Sequence, residues 1–288
     1  MTKSNDATPS GELIVHLIDG TYELFRHFYG LRRFNKGEDK PFGAVIGVLN
    51  TVLQMIETGA THIGVATDHV VESFRNALWP GYKTGDGMEP ALLAQFHPLE
   101  DALAAMGVAV WPMIELEADD ALASAAHIAS EDEGVQKVCI WTPDKDLAQC
   151  VRGDRVVQVD RRSQKIRDAA GVREKFGVEP VLIPDFLALV GDAADGYPGI
   201  PGIGAVSAAR LLNKHGIIED FPATALGDKR DLALLFKHLA TLKTDAPLFR
   251  NIDELRWRGP TEAFAASVER MGEPRLLRRC LAAQKIVR

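Results

Sequence analysis

Cysteine is scarce in this chain: Cys139, Cys150 and Cys280 are the three among 288 residues, too few and too scattered for a disulfide framework or a cysteine zinc site. Such usage fits a reducing compartment. Long apolar runs are lacking too. None approaches the ~20 residues of a membrane span, and the N-terminal MTKSNDATPSGE has no apolar centre of a secretory signal. A soluble, cytoplasmic protein with no membrane association is expected. Positive charge is in deficit: 33 Lys and Arg stand against 40 Asp and Glu, a net −7. A simple nucleic-acid binder is usually basic, so this balance argues against one. That objection depends on where the acids sit, because bound cations reverse the local sign.

What the chain does have is apolar content, 46% of its residues, enough to bury a sizeable core in one large domain or two modest ones. Three short, partly β-branched apolar runs read as buried strands: Leu13 to Ile18, His62 to Thr67 and Lys137 to Thr142. Between them, Ala44 to Glu57 and Ala118 to Ala129 carry apolar residues at helical spacing. Strands alternating with helices imply a parallel sheet. From about Pro184 the pattern is mainly helical, including Val206 to Lys214, with a further strand at Glu254 to Trp257 and a basic helix near Leu276 to Ala283. Basic residues gather at Arg32, Arg33 and Lys36, at Arg161, Arg162, Lys165 and Arg167, and at Arg275, Arg278 and Arg279. Each group fits a solvated face as well as a ligand contact.

Each of the three strands stops at aspartate: Asp19, Asp68, and Asp144 with Asp146. A single aspartate in that place is ordinarily a helix cap or turn former. Three together would converge beyond the carboxyl ends of the strands, where open parallel sheets bind ligands. The segment ELEADDALA adds Glu117, Asp119 and Asp120 at a helix start. These acids complement the helix dipole, yet the adjacent pair cannot both face away from the sheet. Finally GDAADGYPGIPGIG, from Gly191 to Gly204, sets Asp192 and Asp195 before a glycine-rich hairpin that runs into a helix. Gly199, Gly202 and Gly204 would let the backbone approach an anion at that helix N-terminus.

Nine convergent carboxylates would repel strongly unless cations were bound. Hard oxygen donors without accompanying His or Cys favour Mg²⁺ or Mn²⁺ over zinc. Two such ions about 4 Å apart stabilise the attacking and leaving oxygens of an in-line phosphoryl displacement. Metal ligands beside a phosphate cradle point to phosphodiester chemistry.

GDAADGYPGIPGIG with the following AVSAARLL resembles the helix-three-turn-helix of the flap endonuclease family, which includes the 5′ nuclease domain of bacterial DNA polymerase I and its stand-alone relatives. EADD at Glu117 to Asp120, TPDKDLAQ at Thr142 to Gln149 and LIDG at Leu17 to Gly20 also resemble family motifs, in order, from about Leu13 to about Gly216. The resemblance implies an α/β fold: a mainly parallel central sheet flanked by helices, PIN-like, with a helical DNA-binding region and a helical arch. It divides the chain into a nuclease core at 1–185, with the arch at about 74–96, and a helical part at 186–288. The implied activity is structure-selective 5′ nuclease action on DNA with a flap, nick or free 5′ end, beside a separate polymerase.

By the same resemblance Asp19, Asp68, Glu117 and Asp119 would hold one metal ion and Asp144, Asp146 and Asp195 a second, with two Mg²⁺ expected and Mn²⁺ able to substitute. Asp120 and Asp192 would support them from outside. The hairpin Gly199, Ile200, Gly202, Ile203 and Gly204, with Arg210 and Lys214 on the helix after it, would grip the duplex backbone, with K⁺ among its carbonyls. FRNALWPGYKTGDG, from Phe74 to Gly87, resembles the arch: Arg75 and Lys83 would contact the scissile phosphate and Tyr82 would stack on a base. Arg26 also matches a family position. Three positions depart from the family pattern: Asp86 where a basic residue is usual, and Ala194 and Gly196 where GDxSDN has Ser and Asn. Two other readings remain open at this point, a PIN-like ribonuclease and a non-catalytic branched-DNA binder.

Overall fold

A computed structural model of the chain describes residues 12–34 and 40–287. Its centre is a six-stranded sheet of β1 (Leu13–Asp19), β2 (His62–Asp68), β3 (Ala109–Met113), β4 (Val135–Trp141), β5 (Val156–Asp160) and β6 (Lys165–Arg167), in the spatial order β3-β2-β1-β4-β5-β6. All pairings are parallel except β5 with β6, a closing hairpin. The helices are α1 (Gly20–Phe34), α2 (Gly43–Glu57), α3 (Phe74–Leu78), α4 (Pro90–Leu93), α5 (Phe96–Ala105), α6 (Ala118–Glu131), α7 (Ala169–Phe176), α8 (Ile183–Val190), α9 (Ala205–His215), α10 (Ala223–Leu226), α11 (Arg230–Ala240), α12 (Ala263–Arg270) and α13 (Pro274–Val287).

The central strands read as continuous apolar runs because both their faces are covered. Alternate side chains go to opposite layers: Ile18, Ile63 and Val65 pack with the apolar face of α2 and with α5. Val15, Leu17 and Ala66 pack instead on the alanine-rich α6. The last third of the chain forms its own cluster, in which Phe186, Leu189, Ala208, Leu212 and Phe236 of α8, α9 and α11 bury one another together with Ile200 of the turn between α8 and α9. Its end then returns to the sheet side, where Arg279 of α13 pairs with Glu57 of α2 at 2.7 Å and bonds Asn50 at 2.6 Å.

The anticipated strand at Glu254 to Trp257 does not form. Ile252–Leu255 is a 3-10 turn capped by Asn251, whose side chain and that of Glu254 bond each other's backbone N–H groups. Only a single antiparallel bridge joins Arg256 to His62. Trp257 behind it is buried, and its indole N–H donates to the Met106 carbonyl at 2.9 Å. Three strands that the apolar runs did not reveal, β3, β5 and β6, complete the sheet edges.

Candidate metal centre

The register sets the carboxyl ends of β1, β2 and β4 side by side, with Asp19 opposite Ala66 and Ile18 opposite Trp141. Asp19 is buried; its Oδ1 accepts from the Tyr22 N–H at 2.8 Å and its Oδ2 from the Thr142 hydroxyl at 3.0 Å. Asp68 Oδ1 accepts from the Ala118 N–H at 2.8 Å, which ties the end of β2 to the start of α6. After β4 the chain turns sharply, and Asp144 Oδ1 accepts from the Asp146 N–H at 2.8 Å. From the far side comes the turn after α8, closed by paired bonds between Asp192 and Tyr197 at 2.8 and 3.0 Å. One carboxylate oxygen each from Asp146, Asp192 and Asp195 lies within 4.8 Å of the others, and all three residues are buried.

These acids destabilise one another. Burial, with Asp68 and Asp144 adding repulsion, pushes Asp19 up to about 7. Burial, then Asp144 and Asp19, hold Asp119 well above the usual carboxylate range. Asp146 is raised in the same way by burial and by Asp144, Asp195 and Asp192, and burial also raises Asp68 and Asp195. Asp146 Oδ1 is buried with no hydrogen-bond partner among the described residues. An orphaned carboxylate oxygen amid other carboxylates lacks a cation rather than a donor. The all-oxygen donor set fits a hard divalent ion.

Two lysines partly fill that need. Lys83 Nζ lies 2.7 Å from Glu117 Oε2 and 3.1 Å from Asp195 Oδ1, and Lys145 Nζ lies 2.8 Å from Asp192 Oδ2. Burial opposes the charge on Lys83, but Asp195 and Glu117 overcome it and hold the ammonium well above its ordinary value. Glu117 is likewise buried, yet Lys83 and Arg75 bring its carboxyl below its usual value.

Comparison with known proteins places the chain in a family. Residues 14–177 match the 5′-3′ exonuclease N-terminal resolvase-like domain and residues 178–263 match the 5′-3′ exonuclease C-terminal SAM fold. The chain belongs to the 5′-3′ exonuclease family. It is 35% identical over 259 residues to DNA polymerase I of Pseudomonas aeruginosa, an alignment covering 83% of the chain but 28% of that polymerase. It is 31% identical over 262 residues to a 5′-3′ exonuclease of Aquifex aeolicus, covering 85% of the chain and 87% of the relative. In fold it resembles T5 5′-exonuclease with bound zinc ions, with TM-score 0.61 at 19% identity over 96% of this chain and 100% of that one. It also resembles the catalytic core of Rad2 in complex with DNA substrate, with TM-score 0.58 at 14% identity over 94% and 92%.

The remaining residues suggested by the exonuclease motifs fall into two groups. Lys83 lies at the carboxylates, and Gly202, Gly204, Arg210 and Lys214 are exposed. Nothing lies within 4 Å of a side chain added at Gly202 or Gly204, so this stretch of backbone is open to a ligand. Gly199 differs. It has φ +71°, and a Cβ there would sit 2.4 Å from the Gly191 nitrogen, so its bareness serves the chain's own turn. Ile200 is buried and Ile203 half-buried in the helical cluster, and their N–H groups donate within the chain, to the Leu189 carbonyl at 2.8 Å and the Ile200 carbonyl at 3.0 Å.

Arg75, Asp120 and Tyr82 are engaged within the protein. Arg75 is 1% exposed and makes a bidentate pair with Asp120 at 2.7 and 2.8 Å, adding Glu117 at 3.1 Å and the Leu239 carbonyl at 2.8 Å. In this conformation it clamps α3 to α6 and α11 and is not presented to a phosphate, and Asp120 is consumed as its partner. Of the adjacent acids, Asp119 is therefore the one toward the crevice. Tyr82 is buried, with its hydroxyl 3.3 Å from Glu117 Oε2, and offers no face for stacking. Arg26 pairs with Glu23 at 2.5 Å.

Of the basic groups, Lys36 and the side chains of Arg32 and Arg33 lie outside the described residues. Arg161 stacks over Trp141 at 4.8 Å, and Arg275 and Arg278 are exposed. Asp86 and Ala194 are exposed, the latter donating its N–H to Asp192 Oδ1 at 3.0 Å. Motif reading did not single out Thr142, which orients Asp19, or Lys145, although both stand within TPDKDLAQ beside the acids they serve.

Proposed function

We propose that this chain is a Mg²⁺-dependent, structure-selective 5′ nuclease that hydrolyses DNA phosphodiesters near a flap, nick or free 5′ end. The observation that carries the reading is the orphaned Asp146 oxygen within the Asp146, Asp192 and Asp195 cluster, at the crossing of the strand ends and the glycine-rich turn. Asp19, Asp68, Glu117 and Asp119 would hold one ion and Asp144, Asp146 and Asp195 the other, with Asp192 acting from outside; Mn²⁺ can take the same oxygen donors. When bound, the ions supply charge stabilisation at the attacking and leaving oxygens.

The chain's own groups bind and orient. Gly202 and Gly204, with the uncapped N-terminus of α9, present backbone N–H groups to a duplex phosphate, and Arg210 and Lys214 extend that surface. Such contacts position DNA without reading its sequence. K⁺ is assigned to the carbonyls of the same turn. Lys83, already between two site carboxylates, meets the phosphate with its ammonium. In this reading the nuclease core is 1–185, the duplex-holding part is 186–288, and a separate DNA polymerase is the working partner. A labelled 5′-flap duplex should be cut at its junction with Mg²⁺ and remain intact with EDTA. An intact duplex at high enzyme and saturating Mg²⁺ would reject the proposal.

A further inference from the structure

Between α3 and α4 the sequence WPGYK, Trp79 to Lys83, lies against the turn that carries Asp192 and Asp195. The Trp79 indole N–H donates to the Gly196 carbonyl at 3.0 Å. Its ring meets Phe236 of α11 edge-on, with centroids 5.1 Å apart at 90°. The Lys83 N–H donates to the Asp195 carbonyl at 3.1 Å, and the Asn76 amide donates to the Lys83 carbonyl at 2.9 Å. The two backbones touch where both lack side chains. Gly196 has φ +82°, and a Cβ there would lie 1.9 Å from the Gly81 oxygen, a distance no side chain can adopt. The Lys83 ammonium is thus carried on a short segment fixed at both its ends, Trp79 and the Lys83 backbone.

These contacts give the departure at position 196 a purpose. With the Asn of the GDxSDN pattern, a side chain would meet the Gly81 carbonyl and the segment would have to move away. With glycine, the carbonyl of residue 196 is free to receive the indole. Trp79 is only half-buried, so hydrophobic burial alone does not explain a tryptophan here. The directed N–H bond does.

We propose that Trp79 is a positioning residue: its bond to Gly196, admitted by the bare Gly81–Gly196 contact, latches the 79–83 segment and holds Lys83 between Glu117 and Asp195. The consequence for cleavage rests on the proposed nuclease function; the latch itself does not.

The test uses the full chain without metal. Lysines are acetylated briefly and the modified positions are read by mass spectrometry. Trp79→Phe keeps a ring against Phe236 and removes only the donor. It should raise Lys83 labelling about fivefold, the factor expected for one neutral hydrogen bond. Gly196→Asn should raise it by more than about tenfold, since the clash opens the latch. Lys145, paired with Asp192 2.8 Å away, should label as in the parent protein.

A second measurement, flap cleavage at saturating DNA with Mg²⁺, should show kcat falling in Trp79→Phe and falling further in Gly196→Asn, with DNA affinity in EDTA within about twofold of the parent. Unchanged Lys83 labelling in Trp79→Phe overturns the latch, as does an equal rise at Lys83 and Lys145, which would mean general loosening. If Gly196→Asn does not fold, Trp79→Phe decides alone. A parent protein that labels as expected but cuts no DNA would reject the nuclease reading and leave the latch standing.

Discussion

Replacing Asp19 by Asn should stabilise the metal-free protein while weakening its hold on divalent ions. Asp19 is 6% exposed, and its carboxyl is raised from 3.8 to about 7 by burial and by Asp68 and Asp144. A carboxyl raised on folding makes the unfolded state the first to lose its proton. Stability contributed by the protonated form is therefore complete below about pH 4 and is lost as pH rises toward 7. A shift of about three units at about 1.4 kcal/mol each sets an upper bound of about 4 kcal/mol on that loss.

Asn keeps both local bonds, since its oxygen can accept from the Tyr22 N–H and its amide can donate to the Thr142 hydroxyl. In EDTA at pH 8, Asp19→Asn should gain about 2–4 kcal/mol, read by calorimetry as a Tm rise of about 4–8 °C. At pH 4 the gain should vanish. With Mg²⁺ at about a hundred times its Kd, the parent should recover about 2.7 kcal/mol and the variant less. A variant less stable than the parent in EDTA at pH 8, or equally stabilised at pH 4 and pH 8, would refute the reasoning.

Three further outcomes follow from the same geometry. Asp144→Ala should abolish flap cleavage and leave DNA affinity in EDTA within about twofold, because Asp144 borders the cluster without supporting the duplex surface; equal loss of both would make it structural. Arg75→Met leaves Asp120 buried without its bidentate partner and should cost about 3–5 kcal/mol in urea unfolding, a loss that a surface phosphate contact would not produce. Gly199→Ala, whose Cβ would sit 2.4 Å from backbone atoms, should cost at least about 3 kcal/mol, whereas Gly202→Ala, with open space around it, should cost about 1 kcal/mol for its φ of +89°.

How much of this was legible in the sequence depended on whether a residue's environment is set locally. β1, β2 and β4 were visible because a strand covered on both faces must be apolar throughout, and each stops at an acid. β3 is apolar, but Pro112 within it argues against a strand, and β5 and β6 are short, with Arg161, Arg162, Lys165 and Arg167 in their turn and second strand. The strand expected at Glu254 to Trp257 did not form because a local capping box made a 3-10 turn instead.

At the site, the acids were legible as a set, since so many carboxylates at strand and helix ends have few other uses. Their individual duties were not. Whether Arg75 faces a ligand or Asp120 is decided by α11, more than 150 residues further along, whose Leu239 carbonyl takes one of its N–H groups. Gly199 and Gly202 look alike in GYPGIPG, yet one faces Val190 and Gly191 while the other faces open space.

The order in which the chain supplies its carboxylates also bears on its synthesis. Asp19 closes the first strand, whereas Asp195 follows the eighth helix, and Arg75 is held by a carbonyl of the eleventh. A growing polypeptide on the ribosome thus carries half a centre long before the other half emerges. Because Asp146 meets Asp192 and Asp195 across the fold, the acid cluster cannot assemble until synthesis has passed the turn after α8.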